Sequence, residues 1–170
     1  MNITEKTSPI WTETEWEKFR NVVAERFPLL LGAFELMYYC GLRANEVLAL
    51  SSSDIDFENK TVNVDKGLKQ VTTSTRLSND ITVSFECYEP NYLIVSSRII
   101  SIPDDVVSLL KGLLGLDCHL FGPRIFSVSE REFYAFFSDC AKEAGIPKQK
   151  RTGVYALRKC YRVRNGGSVQ

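Results

Sequence analysis

The side chains that could most clearly take part in binding or catalysis are basic, and they are concentrated at the carboxyl end of the sequence. Residues 148–170 contain seven basic side chains and no acidic one, whereas the remaining 147 residues carry 14 basic and 21 acidic side chains, a net charge of −7. The seven are Lys148, Lys150, Arg151, Arg158, Lys159, Arg162 and Arg164. A basic end on an acidic body indicates a polyanionic partner such as nucleic acid, although a solvated end produces the same asymmetry.

Guanidinium groups give this positive charge a specific chemistry. An arginine stays protonated and donates forked hydrogen bonds that match the oxygens of a phosphate, including a five-coordinate phosphorus with extra negative charge. Arg43 follows Gly41 and Leu42 at a predicted helix end, so its side chain can be aimed from a rigid turn. Glu46 lies one helical turn later, where it either orients Arg43 or forms an ordinary exposed pair with it.

The other reactive side chains do not form a recognisable site. The cysteines are Cys40, Cys87, Cys118, Cys140 and Cys160, an odd number with no CxxC spacing. This pattern favours neither a disulfide framework nor a zinc cluster, and Cys40 and Cys140 are predicted core residues. His119 is the one histidine in the chain, so no metal-hydrolase site is predicted and a structural role is expected for it.

Hydrophobic periodicity predicts an α+β domain that is mainly helical. Thr12 and Glu15 form a capping box at the start of the first helix, and Pro28 separates this helix from the second. The predicted helices cover residues 12–27, 30–41, 43–50, 104–115 and 129–145, and Arg158 lies on a last one. Between residues 55 and 102, alternating apolar and polar residues predict an antiparallel sheet of about three strands, with a polar excursion near residues 71–79.

Several segments resemble the tyrosine recombinases, the phage-integrase family. Residues 39–50 (YCGLRANEVLAL), followed by DID at 54–56, are similar to the family's first conserved box. Residues 155–159 (YALRK) are similar to its second box, and residues 96–103 (SSRIISIP) are similar to a hairpin strand that lies between the two. The helix at residues 129–147 also resembles the one before the second box. Each box is short, but several boxes in the expected order form a specific pattern.

The resemblance implies a tyrosine-recombinase catalytic-domain fold and assigns roles to residues. It makes Arg43 and Arg158 phosphate-binding, with Glu46 in support, and it places Tyr155 and Lys66 at two further catalytic positions. It favours DNA contacts for Lys148, Lys150, Arg151 and Lys159, although the first three are equally typical of a solvated loop. The family cuts and rejoins DNA through a covalent 3′-phosphotyrosine, so the implied partners are double-stranded DNA and further recombinase protomers. No metal, nucleotide cofactor or membrane is implied.

The sequence departs from the family pattern around the second box. The nucleophilic tyrosine of the family lies well downstream of this box, whereas only twelve residues follow Arg158 and Tyr161 is too close to it. Tyr155 replaces the usual histidine of the box. Its hydroxyl can donate a hydrogen bond to phosphate, but it is a poorer base near neutral pH.

The assignment of the family's general-acid lysine is divided. Counting forward from Arg43 places it at Lys66. Counting back from Arg98, as a long hairpin requires, places it at Asn91 or Tyr92, where there is no lysine. Lys66 is therefore a candidate for this role on one of two counts.

These observations predict an N-terminal extension over residues 1–11 and an incomplete recombinase catalytic domain over residues 12–170, which binds DNA without completing strand exchange. The alternatives are a non-catalytic DNA-binding or partner-binding α+β fragment, and an α+β domain with fortuitous boxes. No apolar run approaches the about 18 residues of a membrane helix. The first eleven residues lack a secretory signal, so the cytoplasm is the expected compartment.

Overall fold

The computed structural model describes residues 10–76, 82–91, 97–115 and 123–167. Its α-helices are α1 (Glu13–Arg26), α2 (Leu31–Cys40), α3 (Ala44–Ala49), α4 (Asp104–Gly115), α5 (Glu130–Glu143) and α6 (Tyr155–Arg164). Its strands are β1 (Ile55–Asp56), β2 (Thr61–Val64), β3 (Gly67–Arg76), β4 (Thr82–Asn91) and β5 (Arg98–Ser101). The chain divides into two units, the first formed by residues 1–44 and 130–170 and the second by residues 45–129.

The first unit is built around aromatic side chains from α1, α2 and α5. The rings of Phe34 and Phe133 stack with their centroids 4.6 Å apart, and Phe19 meets Phe34 edge-on at 5.3 Å. Trp11 stacks on Phe137 at 5.7 Å and is 3% exposed, so the core includes a residue that precedes the predicted domain start at Thr12. Such ring pairs each add about 0.5–1.5 kcal/mol beyond the burial of their apolar area.

The predicted capping box at the start of α1 is confirmed. The Glu15 amide donates to Thr12 Oγ1 at 3.2 Å, and the Thr12 amide donates to Glu15 Oε2 at 2.7 Å. Lys150 Nζ donates to both Glu15 carboxylate oxygens at 2.8 and 2.9 Å, and Trp11 Nε1 donates to the Lys150 carbonyl. The first turn of α1 is thereby joined to the 3-10 turn Lys148–Lys150, which precedes α6.

The second unit contains the predicted antiparallel sheet of three strands, in the order β1-β2-β5. Val62 is fully buried and stands between Ile55 and Ile100 in this sheet. On α4, the buried residues are Val106, Val107, Leu110 and Leu113, which recur at helical spacing. Helical and strand periodicity therefore identified the sheet and α4 correctly.

The expected polar excursion is wrong over residues 71–76, which belong to β3 and pair in register with β4 to form a separate two-stranded hairpin. Val71, Thr72, Thr73 and Thr75 are β-branched, and β-branched residues favour extended backbone whatever their polarity. Residues 77–79 lie outside the described part of the chain. A run of polar residues is typical of a loop, but a two-stranded hairpin need not alternate apolar with polar residues, so polarity did not distinguish the two.

The described cysteines agree with their predicted place in the core. Cys40 and Cys140 are buried, and burial raises the pKa of Cys40 to about 12 and that of Cys140 to about 11. Cys118 and His119 lie outside the described residues. Within the described ranges, no group of three or more His, Cys, Asp or Glu residues is placed to hold a metal, and no helix is long and apolar enough to cross a membrane.

The contacts of Glu15 predict a pH-dependent stability. Burial by itself raises the pKa of Glu15, but the hydrogen bonds from Lys150 and Thr12 outweigh this effect, so the pKa lies below its ordinary value of 4.5. A lowered folded-state pKa stabilises the protein above the unfolded-state pKa, and this contribution is lost as the pH falls below about 4.5. We expect Glu15→Gln to lower the free energy of unfolding by about 1.5–3 kcal/mol near neutral pH and by progressively less in acid, measured by urea titration.

The matched control is Glu17→Gln on the exposed face of the same helix, which should change the free energy of unfolding by less than about 0.5 kcal/mol at either pH. An equal effect of Glu15→Gln near neutral pH and well below pH 4.5 would contradict the assignment of the lowered pKa to Glu15.

Candidate nucleic-acid interface

Arg43 lies in the turn between α2 and α3, and its side chain is exposed. α2 ends at Gly41, which has the left-handed φ of 70° and donates its amide to the Met37 carbonyl at 3.2 Å. Glycine adopts this conformation without the steric penalty that a β-carbon would bring, so the sequence Gly41-Leu42-Arg43 stops the helix sharply. Arg43 therefore follows a rigid turn, as the sequence predicted.

Arg158 lies on α6, which packs against the end of α2. The ring of Tyr161, one turn beyond Arg158, lies against Gly41, and the Arg164 guanidinium donates to the Tyr38 carbonyl. The described structure of the first unit thus brings together the two backbone segments that carry Arg43 and Arg158, although 115 residues separate these arginines in the chain.

Tyr155 begins α6 and is 44% exposed. It shares a helix face with Arg158 three residues later, while the opposite face buries Ala156, Leu157 and Cys160. Tyr134 on α5 lies beside Tyr155 and donates its hydroxyl to the Glu130 carboxylate; burial and these two neighbours raise the pKa of Tyr134. Sequence reasoning missed Tyr134 because only the packing of α5 beside α6 relates it to the second box.

An open pocket of about 290 Å³ lies between α5 and the residues that lead into α6. Its lining residues are Tyr134, Phe137, Ser138, Arg151, Gly153, Val154 and Tyr155. The Nε of Arg151 is buried without a hydrogen-bond partner. Arg151 and Tyr155 therefore border the same pocket.

The four residues predicted to contact DNA have different environments. Lys148 is exposed, whereas Lys159 and Arg151 are half-buried. Lys150 is 6% exposed and its ammonium is bonded to Glu15, so it reaches a phosphate only when this ion pair opens, and its DNA contact stays a prediction. Sequence reasoning could not separate Lys150 from Lys148 because its partner lies 135 residues away.

In the second unit, Lys66 is also buried and paired. Its Nζ donates to both carboxylate oxygens of Asp54 at 2.5 Å, and the side chain is 7% exposed. Asp54 Oδ2 further accepts from the amide and the hydroxyl of Ser51, each at 2.7 Å. These bonds hold the start of β3 to the 3-10 turn Ser52–Asp54, so Lys66 reaches another acceptor only when the ion pair opens.

Glu46 is fully buried in the second unit and accepts a forked pair of hydrogen bonds from Arg98. Arg98 Nη1 donates to Glu46 Oε1 at 3.0 Å and Nη2 donates to Oε2 at 2.8 Å. This bidentate contact ties α3 to β5, two segments that both match the family boxes. Sequence reasoning did not identify Arg98 as the partner of Glu46, and the orienting contact from Glu46 to Arg43 stays a prediction.

Comparison of the sequence with protein families tests whether the segments that resemble tyrosine recombinases are fortuitous. The sequence profile described as the phage integrase family matches residues 12–161. The chain belongs to this family. No sequence among curated proteins matches the chain.

Solved structures of this family share the fold. The chain resembles XerA recombinase with a TM-score of 0.65 and 20% identity over 94% of this chain and 52% of that one. For the Tn1549 transposon integrase in complex with a circular intermediate DNA, the TM-score is 0.70 and the identity is 16%. The match covers 98% of this chain and 57% of that one. For a lambda integrase dimer bound to a COC′ core site, the TM-score is 0.55 and the identity is 17%. The match covers 89% of this chain and 39% of that one.

These matches establish a tyrosine-recombinase catalytic-domain fold and confirm the predicted α+β class. The third interpretation, an α+β domain with fortuitous boxes, is thereby excluded. The phage-integrase chain spans about half the length of the XerA and Tn1549 structures.

The Lys66–Asp54 pair predicts a characteristic pattern of stability. We expect Asp54→Ala to lower the free energy of unfolding by about 3–5 kcal/mol, because it removes the carboxylate bonded to a buried ammonium and leaves the Asp65 carboxylate at 3.9 Å. The double variant Asp54→Ala/Lys66→Met should be more stable than Asp54→Ala alone, since it removes both charges. Urea titration measures both effects.

The exposed pair of Lys60 and Asp104 in the same unit is the matched control, with side chains 51% and 76% exposed. Lys60→Ala should change the free energy of unfolding by less than about 1 kcal/mol. A double variant at Asp54 and Lys66 that is no more stable than Asp54→Ala would show that the two charges are not coupled.

Proposed function

We propose that this chain is a DNA-binding catalytic domain of a site-specific tyrosine recombinase, in which Arg43 and Arg158 bind one DNA phosphate. The observation that carries the proposal is the packing of α6 on the end of α2 through Tyr161 and Gly41, which brings the two arginine segments together. Two guanidiniums on one phosphate supply forked, charge-assisted hydrogen bonds, and these strengthen as negative charge builds on the phosphate oxygens.

Tyr155 donates its hydroxyl to the same phosphate in this proposal. It is exposed, it shares a face of α6 with Arg158, and it lies beside Tyr134 of α5. A phenolic hydroxyl donates a hydrogen bond, so Tyr155 acts as a donor at the position of the usual histidine of the box. Lys66 remains the candidate general acid of the second unit, and opening of its ion pair with Asp54 is then a required step.

Lys148, Arg151 and Lys159 supply the surrounding contacts to the DNA backbone. All three belong to the basic carboxyl-terminal part of the chain, and each is wholly or partly accessible. Because the Tn1549 and lambda relatives are DNA complexes, and the lambda one is a dimer, double-stranded DNA and further recombinase protomers are the proposed partners. Lys150 is left out of this set because its ammonium is bonded to Glu15.

The 170-residue chain itself binds DNA without forming a phosphotyrosine in this proposal. Covalent catalysis needs a positioned nucleophile as well as charge stabilisation. Tyr161 is held with its ring against Gly41, and Tyr155 occupies the histidine position of the second box. Cleavage then requires a nucleophilic tyrosine other than Tyr155 and Tyr161. The non-catalytic alternative, in which the arginine boxes serve affinity only, shares this expectation.

Substitution of the two arginines tests the phosphate contact. We expect Arg43→Ala and Arg158→Ala each to weaken binding to duplex DNA about 10- to 100-fold, the equivalent of a charge-assisted hydrogen bond of about 1.5–3 kcal/mol. Each should also reduce the slope of log Kd against log salt concentration by about 1, because one phosphate contact is lost. Fluorescence anisotropy over a range of salt concentrations measures both quantities.

Arg26→Ala is the matched control, because Arg26 has the same charge in the same unit and its guanidinium is bonded to Glu143 at 2.7 Å. It should leave the affinity and the salt slope unchanged. Arg43→Lys should keep the slope but lose affinity, since an ammonium lacks the planar fork. Wild-type affinity and slope in Arg43→Ala and Arg158→Ala would refute the phosphate contact.

A nicked suicide duplex carrying a label tests the proposal that neither Tyr155 nor Tyr161 is the nucleophile. We expect the purified chain to produce no protein–DNA band that survives denaturing gel electrophoresis. A band that disappears on Tyr155→Phe or Tyr161→Phe would show that this residue is the nucleophile and that the assignment is wrong.

A further inference from the structure

We propose that Tyr161 is a positioning residue for Arg43, and that its aromatic ring, not its hydroxyl, performs this role. The inference rests on the proposed phosphate-binding function of Arg43. It assigns a role to the carboxyl-terminal part of α6. The sequence of this part departs from the family pattern, and the proposed phosphate contact does not involve it.

The geometry of Gly41 is the main observation. Gly41 adopts the left-handed conformation with φ of 70°, and a β-carbon built on it would lie within 2.8 Å of three carbons of the Tyr161 ring. The ring therefore fills the space that any other residue at position 41 would need. Gly41 is required twice, once by its backbone conformation and once by the close approach of Tyr161.

The turn that the ring supports is the one that directs Arg43. After α2, the Gly41 amide donates to the Met37 carbonyl at 3.2 Å and the Leu42 amide donates to the Leu36 carbonyl at 3.5 Å. Arg43 follows immediately, so a change in the direction of this turn moves its side chain. The Tyr161 ring packs against this turn in the space that a side chain at position 41 would occupy.

α6 carries both the supporting ring and the second arginine. Tyr161 lies three residues after Arg158, which is almost one helical turn. A shift of α6 therefore displaces Arg158 and the support of the Arg43 turn together. The contact between Tyr161 and Gly41 thus links the position of Arg158 to the turn before Arg43.

A second contact holds α6 to α2 independently of Tyr161. The Arg164 guanidinium donates to the Tyr38 carbonyl and lies 4.0 Å from the centroid of the Tyr38 ring. Trp16 stacks on the same ring at 4.0 Å. Because this contact does not involve the Tyr161 ring, we expect a variant at position 161 to fold with α6 in place and with a loosened turn at Gly41.

The experiment measures the mobility of the Arg43 side chain by NMR on the full chain. The heteronuclear NOE of the Arg43 Nε–H group, assigned by its loss in Arg43→Lys, should fall in Tyr161→Leu and stay at the wild-type value in Tyr161→Phe. Tyr161→Leu should also bind duplex DNA about tenfold more weakly, and Arg43→Ala/Tyr161→Leu no more weakly than Arg43→Ala. Loss of stability alone would not produce rescue by phenylalanine together with this non-additivity.

Cys160→Ala is the control, because Cys160 is a buried neighbour of Tyr161 whose replacement leaves the ring in place. It should keep the wild-type NOE. Tyr161→His retains a smaller ring, so it gives a milder test with the same expected direction if Tyr161→Leu does not fold. An unchanged NOE in the folded Leu or His variant would overturn the inference. A reduced NOE with wild-type DNA binding by Arg43→Ala would refute the proposed function while supporting the positioning role.

Discussion

A charged side chain leaves water only when an opposite charge goes with it, and this requirement organises the interior of both units. The buried charged residues of the described chain are Glu35, Glu46, Asp54, Lys66 and Lys150. Each has an ion-pair partner: Arg20, Arg98, Glu15, or, for Asp54 and Lys66, one another. The Glu46–Arg98 pair joins residues 52 apart in the sequence, and the Glu15–Lys150 pair joins residues 135 apart. Each pair therefore holds together two segments that are distant in the chain.

The same requirement decides which basic residues an external anion can reach directly. Lys66, the proposed general acid, and Lys150 are each buried with the ammonium bonded to a carboxylate, so each reaches another anion only when its ion pair opens. Arg43 and Lys148 are exposed, so they can meet an anion that comes from outside the protein. The positive charge of the carboxyl-terminal segment is therefore only partly available to DNA, which net charge alone did not reveal.

Local patterns made much of the fold predictable. The capping box from Thr12 to Glu15 is a four-residue signal, and the helices and the three-stranded sheet follow from periodicity within short windows. The family boxes likewise identified Arg43 and Arg158 as candidates. The pairs Lys66–Asp54 and Lys150–Glu15 were not predictable, because residue type does not reveal burial. The contact of Tyr161 with Gly41 was also hidden, since it depends on how two helices distant in the sequence pack.

The division of the chain into two units has a consequence for the order of events during synthesis. The second unit is one continuous segment, residues 45–129, whereas the first is assembled from residues on both sides of it. A continuous segment can fold while the ribosome is still adding residues, but α2 must wait for α6 to emerge. Until then the apolar surface of α1 and α2 has no partner from α5 or α6. The emerging amino-terminal helices are thus the part of the nascent chain most exposed to aggregation and to chaperone binding.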